Sequence, residues 1–150
     1  MGEFILVVGA KTKRKNVAGL IEAFKLLDEP LQERFKIVLT GADFDLSPRS
    51  QAQPTIHHQF RLCKRWFVTG TVFPCQLAVV GSLAEGFGLP MVEAMRASCV
   101  VLASNVFCMP EILGDAGIYC DPYNPIDIAK RLEIALTPMK LYAKSVSPKA

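Results

Sequence analysis

The chain has 150 residues, 51% of them hydrophobic and 21% charged, with a net charge of +3. That length can bury a sizeable core, and the composition excludes a disordered chain. No apolar run approaches bilayer-spanning length and no charged-then-apolar leader opens the sequence, so a soluble, cytoplasmic protein without a transmembrane segment is expected.

The charge excess is local. Lys11, Lys13, Arg14 and Lys15 lie within five residues, and without them the chain has 13 basic against 14 acidic residues. One patch of this kind argues against a nucleic-acid-coating surface, so no nucleic-acid partner is expected. The five cysteines at 63, 75, 99, 108 and 120 are scattered without C-x-x-C spacing. They read as reduced core or surface thiols rather than a structural zinc site.

In chain order, residues 4–8 form a continuous apolar run ending at Gly9, as in a strand buried on both faces of a parallel sheet. After the basic loop, Asn16 is placed to cap a helix over residues 17–27, where Val17, Leu20, Ile21, Phe24 and Leu27 follow helical spacing. Residues 35–40 read as a second strand. Residues 42–64 mix loop with a short helix, and residues 66–69 make a third, short strand. Leu77 to Leu83 is apolar and reads as a buried strand, followed by a helix to about residue 98. Residues 100–103 form another strand, Pro110 to Ile112 a helical turn, and residues 117–120 a last strand. A final helix spans residues 126–136, capped by Pro125 or Asp127, and a tail follows from Thr137. Strands alternating with helices predict a doubly wound, mostly parallel α/β domain over residues 1–136, with a C-terminal tail over 137–150.

The run Glu85-Gly86-Phe87-Gly88-Leu89-Pro90-Met91-Val92-Glu93 joins a predicted strand to a predicted helix. In an open α/β sheet this junction lies at the carboxyl edge of the strands, where ligands bind. Gly86 and Gly88 permit positive φ and close ligand approach, and Pro90 suits a first helical turn. The unpaired amides of that turn favour an anion such as a phosphate. Two carboxylates would repel that anion, so Glu85 and Glu93 are placed to accept hydrogen bonds from sugar or ribose hydroxyls. Taken alone, the pattern fits equally an ordinary strand–helix connection with two solvated glutamates.

The run EGFGLPMVEAM resembles, residue for residue, the E-x7-E signature of the retaining, nucleotide-sugar-dependent glycosyltransferases of group 1, which have the two-domain GT-B fold. Further stretches are similar to the family in the same order: Val8-Gly9 through Asn16, Leu20 to Phe24, Ala103 to Asn105, Pro110-Glu111, Gly114 to Ala116 and Asp121-Pro122. The resemblance covers nearly the whole chain but only the C-terminal, donor-binding half of such an enzyme, with a Rossmann-like fold. It implies that Lys15, assisted by Arg14 and by amides near Gly88 and Leu89, contacts the donor diphosphate. Gly86 and Phe87 complete the donor loop, Glu85 holds sugar hydroxyls and Glu93 ribose hydroxyls. Glu85 and Lys15 are thus the catalytic candidates. The donor implied is a UDP-, GDP- or ADP-sugar, no cofactor or metal is required, and the acceptor is a glycan or a lipid-linked sugar. The acceptor domain has no counterpart in these residues, so contact with a membrane, if made, would be peripheral and through that domain.

Four departures from the family pattern stand out. Ala10 replaces an arginine that commonly contacts phosphate. Ser98 and Val100 stand where glycine and proline are usual, which strains or reshapes the turn after the motif helix. The span from Gly70 to Glu85 is short. A histidine at the reaction centre of the family comes from the half without a counterpart. The second reading is therefore a non-catalytic nucleotide-sugar binder or a degraded fragment, and the third a structural α/β module. The D-x-D at Asp43–Asp45 reads as a polar loop and the pair His57-His58 as surface or packing histidines, because neither has the further ligands a metal ion needs. Glu111 either caps a helix or faces the donor cleft.

Overall fold

The fold is taken from a computed structural model, which describes residues 3–10, 12–40 and 76–145, with side chains as far as residue 137. Five strands form one parallel sheet: β1 (Phe4–Val7), β2 (Lys36–Leu39), β3 (Leu77–Val80), β4 (Val100–Ser104) and β5 (Gly117–Cys120), in the order β2-β1-β3-β4-β5. Helices α1 (Val17–Lys25) and α2 (Glu29–Arg34) connect β1 to β2; α3 (Leu89–Arg96) connects β3 to β4; α4 (Met109–Leu113) connects β4 to β5; α5 (Pro125–Ser145) follows β5.

Strand alternation sorts the core into two layers. Ile5, Val7, Leu77, Val79 and Leu102 face one side, where they pack with Leu20 and Phe24 of α1, Leu31 of α2, and Ile128, Leu132 and Leu136 of α5. Leu6, Ala78, Val80, Val101 and Ala103 face the other, against Met91 and Ala94 of α3 and Met109 and Leu113 of α4. Because both faces are covered, the strands carry apolar side chains at consecutive positions rather than at alternate ones. The sheet is doubly wound and Rossmann-like, as the sequence predicts.

The topology decides where a ligand can sit. From β1 the chain goes out through α1 to β2 on one side of the sheet; from β3 it goes out through α3 to β4 on the other. The β1 and β3 strands are neighbours, paired through Ile5–Leu77 and Leu6–Ala78. The order therefore reverses between them, and it is outside the carboxyl ends of strands at such a reversal that folds of this kind form their ligand crevice.

Several local expectations change. Helix α2 was not anticipated; Asp28 caps it by accepting from the Leu31 amide, and Pro30 sits in its first turn. Asn16 stands at the start of α1 with φ of 54°, but its side chain makes no cap and donates instead to the Pro122 carbonyl at 2.7 Å. The cap of α5 is Asn124, whose Oδ1 accepts from the Ile126 and Asp127 amides, rather than Pro125 or Asp127. Helical backbone continues past Leu136 to Ser145. Cys99 is disulfide-bonded, which corrects the reading of all five cysteines as reduced, whereas Cys108 and Cys120 are free. Spacing along a chain carries no information on which sulfurs meet in space. The strand expected at 66–69, the D-x-D, His57-His58 and most of the short span before β3 lie outside the described residues.

Ser98 shows how the turn after α3 accommodates the absence of glycine. The Cys99 amide donates to the Ala94 carbonyl and the Ser98 amide to that of Met95, the paired bonds that end a helix with a left-handed residue. Ser98 holds that left-handed position with φ of 57°. A side chain there costs about 1 kcal/mol relative to glycine.

Candidate functional site

Two loops meet at the crevice between β1 and β3. The first begins at Gly9, whose φ of 72° turns the chain off β1; a Cβ there would lie 3.5 Å from Lys15 Cε. Ala10 follows, 1% exposed, and its amide donates to the Thr40 carbonyl. It is a core residue and supplies no side-chain contact to an anion. A single 3-10 turn, Lys13–Lys15, then carries the cations to the rim.

The second loop leaves β3 through Gly81, Ser82 and Leu83. The Leu83 amide donates to the Arg14 carbonyl at 2.8 Å, a main-chain bond that fastens the two loops together. Glu85 lies directly beyond. Lys15 Nζ donates to its Oε1, Ser82 Oγ donates to the same oxygen at 2.7 Å, and Arg14 Nη1 stands 4.0 Å from Oε2. The Cys108 thiol, from the β4–α4 loop, reaches the Glu85 carbonyl at 3.7 Å. The Glu85 side chain is 7% exposed and that of Lys15 12%, whereas Arg14 is 51% exposed.

Burial pushes the Glu85 carboxyl up, but the hydrogen bonds from Lys15 and Ser82, with the charges of Lys15 and Arg14, outweigh it and hold the group below its ordinary range. Glu85 is therefore ionised at neutral pH. A fixed, ionised carboxylate accepts hydroxyl hydrogen bonds well and repels a phosphate, whereas the adjacent cations attract one.

Helix α3 begins at the same edge. Gly88 is left-handed with φ of 70°, which favours glycine, and a Cβ on it would meet Met91 Cε at 2.2 Å and displace the end of that side chain. The amides of Gly88 and Leu89 belong to the first turn, which has no upstream carbonyl to receive them. Of the two glycines that permit positive φ, Gly86 does not use it, and a Cβ on it would meet nothing within 4 Å. Its missing side chain leaves open space rather than relieving strain. Phe87 and Leu89 project outward, both largely exposed.

Glu93 stands apart from this cluster. It is half-buried one turn into α3, beside an apolar cleft formed by Leu6, Val8, Val80, Pro90 and Ala94. Burial pushes its carboxyl up. Among the described residues no hydrogen bond or ion pair joins it to Lys15 or Glu85. Glu111 is exposed in α4. The free thiol of Cys120 is pushed up to about 12, chiefly by burial, and is inert as a nucleophile.

Sequence reasoning missed Ser82 and gave Asn16 a capping role in place of its actual partner. Ser82 precedes Glu85 by three residues in a loop that ends before α3 begins at Leu89, and no local pattern marks their contact. Asn16 is tied to Pro122, 106 residues away, and nothing in the local sequence shows that.

The family model for glycosyl transferases group 1 matches residues 1–146. The chain belongs to the group 1 glycosyltransferase family. It is 33% identical over 151 residues to the serotype-specific mannosyltransferase WbdA of Escherichia coli, covering 93% of this chain and 18% of that protein. It is 32% identical over 136 residues to O-antigen chain mannosyltransferase B of Escherichia coli, covering 83% of this chain and 34% of the relative. The chain thus spans about a third or less of the length of these curated relatives. Among solved structures, it superposes on the C-terminal domain of a group 1 family glycosyl transferase from Francisella tularensis with a TM-score of 0.65 and 25% identity, covering 93% of this chain and 77% of that one. The catalytic domain of the cholesterol-α-glucosyltransferase of Helicobacter pylori shares the fold, with a TM-score of 0.60 and 19% identity over 95% of this chain and 97% of that one. The fold of this group 1 chain is that of the C-terminal domain. Among the described residues no helix is long and apolar enough to cross a membrane.

Proposed function

We propose that this chain is the donor-binding half of a retaining GT-B glycosyltransferase that takes a nucleotide-diphosphate sugar, with a mannosyl nucleotide the first candidate. One observation carries the reading: Lys15 and Arg14 from one loop converge on Glu85 from the other at the point where strand order reverses. That both of these relatives are mannosyltransferases supports mannose as the sugar. In this reading the diphosphate sits against Lys15, Arg14 and the first amides of α3, and Glu85 accepts hydrogen bonds from the sugar. Glu93, beside its apolar cleft, accepts from the ribose. As the glycosidic bond breaks, negative charge grows on the departing diphosphate, and the fixed cations and amides stabilise it without a metal ion. The acceptor, a glycan or lipid-linked sugar, is met by a separate domain.

Calorimetric titration with UDP, GDP, ADP and their sugar conjugates tests this. Binding of one nucleotide series is expected, weakened about tenfold in Lys15→Ala through loss of a charge-assisted hydrogen bond. Glu85→Ala should lower affinity for the sugar conjugate more than for the bare diphosphate. If both variants bind the nucleotide sugar like the wild type, the site assignment is wrong. The buried Ala10 favours a second reading, a non-catalytic binder with fewer phosphate contacts; transfer restored by a supplied acceptor domain would exclude it.

A further inference from the structure

Ser82 is a polar residue with 0% exposure, and a buried hydroxyl needs a partner. Its partner is Glu85 Oε1, at 2.7 Å. Lys15 donates to the same oxygen, so two donors from two loops converge on one side of the carboxylate. Oε2 is differently placed. Arg14 Nη1 is 4.0 Å away, beyond hydrogen-bond reach, and no described residue donates to it. A carboxylate has lone pairs for about four hydrogen bonds, so with Oε1 occupied the remaining capacity lies on Oε2.

The two donors on Oε1 are not equivalent. Lys15 has three N–H bonds on a flexible stem and sits beside the proposed diphosphate position, so a bound diphosphate competes with Glu85 for it. Ser82 is enclosed at the carboxyl end of β3, and its neighbour Leu83 is pinned by the main-chain bond to Arg14. It has one donor, which among the described residues is directed at Glu85 Oε1.

We propose that Ser82 is a positioning residue that keeps Glu85 Oε1 on the chain and thereby presents Oε2 to a hydroxyl of the donor sugar, with its hold most needed once a diphosphate draws Lys15 away. This rests on the reading of Glu85 as the sugar-binding group. The groups facing Glu85 among the described residues are Lys15, Arg14, Ser82 and the Cys108 thiol.

The test uses the whole chain with carboxyl-13C glutamate, the Glu85 signal assigned through Glu85→Gln, and calorimetry with GDP and GDP-mannose. In Ser82→Ala the Glu85 signal should titrate at a higher pH than in the wild type, since one hydrogen bond to the ionised form is gone. GDP affinity should hold while GDP-mannose affinity falls about tenfold. The near-isosteric pair Ser82→Thr and Ser82→Val repeats the comparison at matched volume, with the donor kept in the first and removed in the second. An unchanged Glu85 titration in folded Ser82→Ala or Ser82→Val overturns the positioning role. A shifted titration with GDP-mannose binding unaltered, while Glu85→Gln does impair it, overturns the presentation of Oε2 alone. If Glu85→Gln is also silent towards GDP-mannose, the sugar-binding reading of Glu85 falls, and the role assigned to Ser82 falls with it.

Discussion

The two loops of the crevice solve opposite problems with similar backbone. Both leave a central strand and both use a left-handed residue to enter a helix, Asn16 before α1 and Gly88 before α3. The β1–α1 loop carries Arg14 outward, half-exposed, and turns Lys15 in towards Glu85. The β3–α3 loop carries an acid inward, where Glu85 is enclosed by Ser82 and Lys15. A diffuse, multiply charged group such as a diphosphate can be met by cations at different depths, whereas discriminating one sugar hydroxyl from another requires an acceptor whose direction is fixed.

Breaking the enclosed side should have the larger consequence. Glu85→Ala leaves Lys15 without its partner and the Ser82 hydroxyl buried without an acceptor, and is expected to cost about 2 kcal/mol at neutral pH. The pH dependence follows from the sign of the shift. Glu85 is held below its ordinary range, so its contribution is complete above the pKa it has when unfolded and is lost as pH falls through its lower folded value. Urea unfolding should therefore show a gap between wild type and Glu85→Ala that is wide at pH 7 and narrows in acid. A constant gap would mean that packing, not the ion pair, holds the loop.

The ends of α3 sharpen the same comparison, because a left-handed residue stands at each: glycine at 88 and serine at 98. Gly88→Ala should destabilise by about 1–2 kcal/mol through the strained φ alone, with a further displacement of Met91. Ser98→Gly should stabilise by roughly 0.5–1 kcal/mol, part of the relieved strain being offset by the freer unfolded chain. Thermal melts of the two variants should move in opposite directions. A stabilising Gly88→Ala would contradict the loop geometry on which the site depends.

The smallest effect is expected at Glu93. Its carboxyl is held above the ordinary range by burial, so the ionised form is disfavoured in the fold and the free chain should gain stability as pH falls from neutral towards that range. Glu93→Gln removes the charge and should raise the melting temperature by about 1–2 °C, while weakening nucleotide-sugar binding. Loss of both stability and binding would instead assign Glu93 to the structural framework.

The amino-acid sequence by itself determined the class of fold and the residues of the two loops. Consecutive apolar positions bounded by glycine describe strands covered on both faces, and the run from Glu85 to Glu93 marks a strand–helix junction whatever surrounds it. These are local consequences of side-chain type and backbone freedom. Tertiary structure alone decided that the two loops share one crevice, because that follows from the reversal of strand order between β1 and β3. It also decided that Lys15 pairs with Glu85 seventy residues on, that Gly86 serves space rather than torsion, and that Asn16 is spent on Pro122 instead of capping α1. A side chain of given chemistry has many partners it could satisfy, and only the packing of distant segments selects one.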